Sequence, residues 1–145
     1  MPDIKEIFSA GDEEEIVEAI RQAEKTTSGE IRIHIERTAS ENSIERAAEV
    51  FHFLKMDNTR ERNGVLIYVA VESRVFVIYG DEGINKVVPD DFWDSTRDIM
   101  LTFFRKGEFK KGIIEGILKS GEQLQKYFPW QRGDDNELPD DISRG

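Results

Sequence analysis

The sequence predicts an α/β protein, arranged as a three-layer α/β/α sandwich with a central mixed β-sheet. Residues 31–36 alternate between isoleucine and polar side chains, which is typical of a β-strand with one covered face. Residues 65–71 are apolar on both faces, as expected of a strand inside a sheet that has helices on each side. The segments around these strands carry apolar residues at helical spacing.

The size and composition predict one globular domain. A chain of 145 residues with 38% hydrophobic content is long enough to bury a core without disulfide bonds or metal ions. We assign this domain to residues 1–130. Residues 131–145 are acidic and contain few apolar anchors, so we expect a mobile C-terminal tail there.

The charge and the absence of cysteine exclude several classes of function. A net charge of −10 argues against nucleic acid and anionic membranes as partners, because both bind clustered lysine and arginine. With no cysteine, the chain has no disulfide, thiolate metal site or cysteine nucleophile. We find no signal-peptide pattern and no apolar run that would span a membrane. We therefore expect a cytoplasmic protein with a divalent cation and a protein as its partners.

The first part of the chain predicts a helix followed by a strand. Asp12 and Glu15 have the spacing of a capping box, and apolar residues at helical spacing continue to about Lys25. In the strand over residues 31–36, His34 lies on the polar side of the alternation. We therefore expect His34 to be a solvated or surface-paired histidine rather than a ligand.

The middle of the chain predicts a second helix and a β-hairpin. Asn42 and Glu45 mark the start of the helix. The strands over residues 65–71 and 75–79 are separated by a short polar turn and form the hairpin. A right-handed crossover through the helix would make the first two strands parallel.

The last part predicts one short helix and two longer ones. Pro89 ends a short helix over residues 84–88, and Asp90 or Asp91 caps the next helix, which Gly107 terminates. The final helix covers residues 108–128. It contains three glycines, so we expect a neighbouring element to approach its backbone closely.

Oxygen-bearing side chains cluster in the loops that this topology brings together. Carboxylates and amide oxygens are the ligands that calcium and magnesium prefer. The segment over residues 57–64 does not have the EF-hand pattern. Carboxylates in an acidic chain also serve as helix caps and turn formers, so the spacing leaves both interpretations open. The residues in question are Asp57, Asn63, Asp81, Glu82, Asp90 and Asp91.

Three segments resemble the TPM domain, a family of thylakoid-lumen and bacterial proteins. They are residues 27–36, 62–91 and 104–117, and the resemblance extends over most of residues 5–128. A glutamate precedes the first strand, Asn-Gly precedes the second, and an acidic loop between two glycines follows the third. A Pro-Asp pair comes after this loop, as in the family.

The resemblance implies an α/β/α sandwich, a divalent-cation site in some members, and the phosphatase activity reported for a plant member. By position, the metal ligands would be Asp81, Glu82 and Asp90, with Asp57 and Asn63 as further candidates. The chain departs from the family pattern because its two acids stand between the glycines and asparagine follows them. The expected cofactor is Ca²⁺ or Mg²⁺.

Two hypotheses for the function follow. The first is a cation-binding domain that acts as an interaction or regulatory module. The second is a metal-assisted phosphatase acting on phosphoesters. We prefer the first, because phosphoryl transfer also needs a basic residue near the phosphate, and the loops offer only Arg60, Arg62 and Lys86.

Overall fold

A mixed β-sheet of four strands lies at the centre of the computed structural model, which describes residues 8–39, 41–130 and 142–144. The strands are β1 (Glu30–Glu36), β2 (Gly64–Ala70), β3 (Val75–Gly80) and β4 (Ile142–Arg144). Their order in the sheet is β3-β2-β1-β4. β1 is parallel to β2 and to β4, and β2 is antiparallel to β3. The predicted parallel pairing of β1 with β2 and the predicted hairpin are confirmed.

Helices cover both faces of this sheet. Within the described ranges they are α1 (Ala10–Glu24), α2 (Ser43–Phe53), α3 (Glu82–Asn85), α4 (Asp94–Arg105) and α5 (Phe109–Gln125). Buried residues of α1, α3, α4 and α5 pack on one face of the sheet, and those of α2 pack on the other. The predicted three-layer α/β/α sandwich is therefore confirmed. No helix within the described ranges combines the length and the apolar character needed to cross a bilayer.

The alternation of side chains along β1 and β2 divides the core in two. The three isoleucines of β1 and alternate residues of β2 enter the larger core, which also contains Met100 and Ile117. The intervening residues of β2 enter a smaller core around Phe51. All seven residues of β2 are buried, as its apolar pattern predicts.

His34 and Glu36 on the polar face of β1 are buried, so the expectation of a solvated or surface-paired His34 is wrong. Only 4% of His34 is exposed, and Glu36 is buried beside it. The reason is that α2 lies over this face, with Arg46 bonded to Glu36. An alternating pattern shows which side chains share a face, but it does not show what covers that face.

The start of α2 agrees with prediction, whereas those of α1, α3 and α4 differ; α3 covers Glu82–Asn85 instead of residues 84–88. α2 begins as predicted, with the side chain of Asn42 accepting a hydrogen bond from the amide of Glu45 at 3.1 Å. α1 begins earlier, because Ser9 is its N-cap and forms a reciprocal capping box with Asp12. The predicted box from Asp12 to Glu15 is therefore wrong.

The start of α4 lies beyond both aspartates that we expected to cap it. Its N-cap is Trp93, which makes no side-chain capping bond. Two overlapping turns, from Pro89 to Phe92 and from Asp91 to Asp94, delay the helix. The rings of Phe92 and Trp93 pack against each other, and Phe92 is buried in the core. Packing of these aromatic side chains therefore places the start of the helix.

Two predictions about glycine are confirmed. Gly107 follows α4 with a φ of 77°, the left-handed conformation that favours glycine. The backbone of α5 is approached closely: a Cβ atom at Gly121 would lie 2.8 Å from Cβ of Ala23 on α1. A Cβ at Gly116 would lie 2.5 Å from Sδ of Met100 on α4.

The C-terminal segment differs from the expected mobile tail over residues 142–144. These residues form β4 and pair with Ile33–Ile35 of β1. Ile142 is the anchor, since it is 7% exposed and belongs to the larger core. Residues 131–141 and 145 of the predicted tail lie outside the described residues, and the domain boundary at residue 130 stays a prediction.

Candidate functional site

One end of the sheet brings three of the predicted oxygen ligands, Asn63, Asp81 and Glu82, into the same region. β1 and β2 start there, and β3 ends there, with Glu30 opposite Gly64 and Val65 opposite Gly80. The amide of Asp81 donates to the carbonyl oxygen of Gly64 at 2.9 Å. We call this region, residues 61–64 and 80–83, the acidic rim.

Asp81 is the most constrained side chain of the acidic rim. It is buried, it is the N-cap of α3, and it accepts a hydrogen bond from the amide of Glu82 at 2.7 Å. Arg62 donates from Nε to Oδ2 at 3.0 Å and from Nη2 to Oδ1 at 3.3 Å. This pairing raises the pKa of Arg62. Both oxygens of Asp81 therefore contact a cation supplied by the chain.

Asn63 leaves a buried oxygen without a partner. Only 1% of the residue is exposed, and Nδ2 donates to Ser28 Oγ at 3.3 Å and to Glu61 Oε2 at 3.2 Å. Because a carboxylate only accepts hydrogen bonds, the NH₂ group must face Glu61, and Oδ1 is on the other side of the amide. In the described part of the chain, no group donates to Oδ1. An unsatisfied buried acceptor of this kind costs about 1–3 kcal/mol.

The other three candidate ligands are more exposed. Oε1 of Glu82 lies 3.6 Å from Nη1 of Arg62 and 4.0 Å from Nζ of Lys86. Asp57 lies in the loop before β2, with Oδ2 3.7 Å from Nδ1 of His52. Asp90 is exposed in the turns between α3 and α4.

The donors suit a divalent cation in chemical type, but not in their present arrangement. Carboxylate and amide oxygens fit Ca²⁺ or Mg²⁺. Among the described residues, however, no three His, Asp or Glu side chains form a group that would hold a metal ion. The guanidinium of Arg62 neutralises Asp81 instead. A cation at the acidic rim would therefore have to compete with Arg62.

A second polar cluster, absent from the sequence prediction, lies under α2. Its centre is the buried carboxylate of Glu36, which accepts hydrogen bonds from Arg46 Nε at 3.0 Å, from His34 Nε2 at 3.0 Å and from the hydroxyl of Tyr68. Burial alone would raise the pKa of Glu36, but the bonds from Arg46, Tyr68 and His34 outweigh it and lower the pKa to about 2.

The charge of Glu36 determines the direction of the remaining hydrogen bonds. Nε2 of His34 must carry a proton, because a carboxylate has none to donate. Burial lowers the pKa of His34, so the ring is neutral at pH 7 and its Nδ1 is an acceptor. The hydroxyl of Ser143 on β4 therefore donates to Nδ1, at 2.9 Å. The placement of His34 and Glu36 on one face of β1 was the only sequence signal for this cluster.

The comparisons with known proteins agree with this fold. The family model of the TPM domain matches residues 1–123. The chain is similar to BA42 from the psychrophilic bacterium Bizionia argentinensis, an NMR structure with 57% identity, 100% coverage of both chains and a TM-score of 0.93. A search of curated proteins gave no match.

Two more distant structures support the fold alone. The N-terminal domain of a P. gingivalis protein has 19% identity and a TM-score of 0.70, with 87% of this chain and 82% of that chain covered. The N-terminal domain of a Corynebacterium glutamicum protein has 10% identity and a TM-score of 0.62, with coverage of 97% and 82%. With the family match over residues 1–123 and the 57% identity to BA42, the chain belongs to the TPM domain family.

Proposed function

We propose that this protein is a divalent-cation-binding domain that acts as an interaction or regulatory module. Ca²⁺ or Mg²⁺ would bind at the acidic rim, with Asp81, Glu82 and Asn63 as ligands. Asp57 and Asp90 are further candidates from the neighbouring loops. The observation that carries the proposal is the buried Oδ1 of Asn63, a hard oxygen with no donor in the described part of the chain.

The position of Arg62 supports an exchange of one cation for another. Its side chain is 41% exposed, so the guanidinium has room to leave Asp81 for solvent. Asp81 is buried and would not be left without a counter-charge, because a bound ion would replace the guanidinium. Since Asp81 caps α3, the exchange would change the loop between β3 and α4, which is the surface we propose for a protein partner.

The proposal is tested by titrating CaCl₂ and MgCl₂ into the labelled protein and following its amide NMR signals. We expect shifts at Asn63, at residues 80–85 and at Asp90. Asp81→Asn should abolish them. Asp98→Asn removes the same charge from an exposed position on α4 and should leave them unchanged. The proposal is wrong if millimolar concentrations of either ion shift no signal at the acidic rim.

A metal-assisted phosphatase is the second candidate, and the place of Arg62 favours it. Phosphoryl transfer needs a basic group beside the carboxylates, and the Arg62 guanidinium contacts both Asp81 and Glu82. A bound ion would polarise a phosphoryl oxygen. Arg62 would then hold the other phosphoryl oxygens.

Hydrolysis of an aryl phosphate, measured with Mg²⁺ present, tests the second candidate. Asp81→Asn and Arg62→Gln should each lose the activity while remaining folded by circular dichroism. Asp98→Asn should retain it. If Asp81→Asn hydrolyses the substrate at the wild-type rate, the activity belongs to another site or to a contaminant.

We also propose that the protein works in the cytoplasm. The absence of cysteine and the net charge of −10 support this location and a basic protein partner. Fractionation of cells followed by immunoblotting would test the location.

A further inference from the structure

The three residues of β4 are held by three different contacts. Ile142 enters the larger core, Ser143 donates to His34, and Arg144 forms an ion pair with Glu13 on α1. The backbone of β4 pairs with β1 in parallel, with Ser143 opposite His34. Each side chain of this short segment is thus recognised separately.

We propose that the edge of β1 is a peptide-binding site, which Ile142–Arg144 occupies as an internal ligand. The external ligand would be an extended segment of a partner protein with apolar, hydroxyl-bearing and basic residues in successive positions. This site is separate from the acidic rim and does not depend on the proposed cation.

The geometry is that of strand addition to a sheet edge. In this mode the main chain of the edge strand supplies hydrogen bonds, and alternate side chains of the ligand enter different pockets. Ile142 and Arg144 point towards α1 and the larger core, while Ser143 points towards α2. A ligand bound at the edge of β1 would therefore have its side chains contacted on both faces of the sheet.

The middle position selects a hydroxyl group. His34 Nε2 is committed as a donor to Glu36, so Nδ1 requires a donor from the ligand. A residue without a donor would leave a buried nitrogen unsatisfied. The carboxylate of Glu36 is held by Arg46 and Tyr68, which keeps the histidine ring in this state.

The internal segment fills the site incompletely. A cavity of about 370 Å³ lies beside Ser143 and Arg144, with Arg46, Val50 and Phe53 among its walls. Phe53 is 84% exposed, a large apolar surface next to the segment. A ligand with threonine in place of Ser143 keeps a hydroxyl group on Cβ and adds a methyl group on the side of the cavity. An external segment therefore has contacts available that the internal one lacks.

The test uses the full chain with its own segment weakened. Arg144→Glu places a negative charge beside Glu13 and should release β4 while changing no core residue. A fluorescent peptide with the sequence of residues 139–145 should bind this variant at least about tenfold more tightly than the wild type, because the tethered segment competes at high effective concentration. Ile142→Asp is a second way to release β4.

Peptide variants separate specific recognition from general binding. Replacing the serine that corresponds to Ser143 by alanine should weaken binding about fivefold, the effect of one lost hydrogen bond. Replacing it by threonine, which keeps the hydroxyl group on Cβ, should retain binding. A peptide of the same composition in scrambled order is the control and should not bind.

Exchanging charges between residue 13 and the peptide tests whether the basic residue of the ligand contacts Glu13 on α1. In the Ile142→Asp chain, whose own Arg144 would be repelled by a lysine at position 13, adding Glu13→Lys should weaken the arginine-containing peptide and strengthen one that carries glutamate in place of that arginine. Binding of the scrambled peptide equal to that of the native one would overturn the proposal. Equal binding of the native peptide to the wild type and to both released variants would also overturn it.

Discussion

Arg46 on α2 and Glu36 on β1 form a partly buried ion pair that joins the helix to the sheet. Nε of Arg46 lies 3.0 Å from both carboxylate oxygens of Glu36. The pairing raises the pKa of Arg46 and counts among the causes that lower the pKa of Glu36. The polar face of β1 can be covered by α2 because this charge is neutralised.

Removing Arg46 should destabilise the protein more than removing a surface arginine. Loss of one partner of a buried pair costs about 3–5 kcal/mol, and we expect about 2–3 kcal/mol for Arg46→Met because this side chain is 34% exposed. Arg97→Met, which breaks an exposed pair with Asp94, should cost less than about 1 kcal/mol. Urea unfolding followed by circular dichroism measures both. Equal losses would show that the Glu36 pair contributes no more than a surface pair.

Stability should fall on acidification in two separate ranges of pH. The folded pKa of His34 lies below its usual 6.5, so the unfolded chain takes up a proton first and stability falls as the pH drops below about 6.5. The folded pKa of Glu36 is about 2 against a usual 4.5, so its contribution is present above pH 4.5 and is lost as the pH falls towards 2. Thermal unfolding across this range measures both effects.

Single substitutions show which residue causes the loss of stability in each range of pH. His34→Gln should flatten the upper range, while His52→Gln at an exposed position should leave it unchanged. Glu36→Gln should reduce the loss in the lower range. If the stability of His34→Gln falls in the upper range of pH as much as that of the wild type, the assignment to His34 is wrong.

Arg62→Gln should increase the affinity for a divalent cation at the acidic rim. The substitution removes a positive charge that contacts Asp81 at 3.0 Å and Glu82 at 3.6 Å. Removing a charge at such distances should tighten binding at least about fivefold. Arg60→Gln changes the net charge equally from an exposed position two residues away. Calorimetric titration that shows equal affinities for both variants would mean that the ion does not compete with Arg62.

Gly121→Ala should destabilise the contact between α5 and α1. Alanine favours a helix by about 1 kcal/mol over glycine, but the added Cβ would lie 2.8 Å from Cβ of Ala23. Overpacking of this kind costs about 1–3 kcal/mol, so we expect a net loss of stability. At Gly11 on α1 the nearest atom would be 3.7 Å away, and Gly11→Ala should not reduce stability. A stabilised Gly121→Ala protein would contradict the close packing of α1 on α5.

The pattern of β2 illustrates what could be predicted from the sequence. A run that is apolar on both faces has to be covered on both sides, and the structure buries it between α2 and the other helices. The N-cap Asn42 could likewise be predicted, because its side chain accepts a hydrogen bond from an amide only three residues away. Local spacing was sufficient for Asn42, but it did not identify the N-caps of α1 and α4.

The acidic rim was predicted only in part. The order of the strands was enough to bring Asn63 and Asp81 to the same end of the sheet. The pairing of Arg62 with Asp81 was not predictable, because it depends on the conformation of the loop before β2, where Arg62 has a φ of 52°. The role of these residues as metal ligands stays a prediction.

The sequence by itself determined the α/β class, the parallel crossover, the hairpin and the candidate ligands, because these follow from side-chain periodicity and from bonds between near neighbours. Only the tertiary structure decided that α2 covers the polar face of β1 and that β4 lies at its edge. Glu36 meets Arg46 and Tyr68, and His34 meets Ser143, across distances in sequence of 10, 32 and 109 residues. Such contacts depend on how the layers pack, and no local pattern specifies that packing.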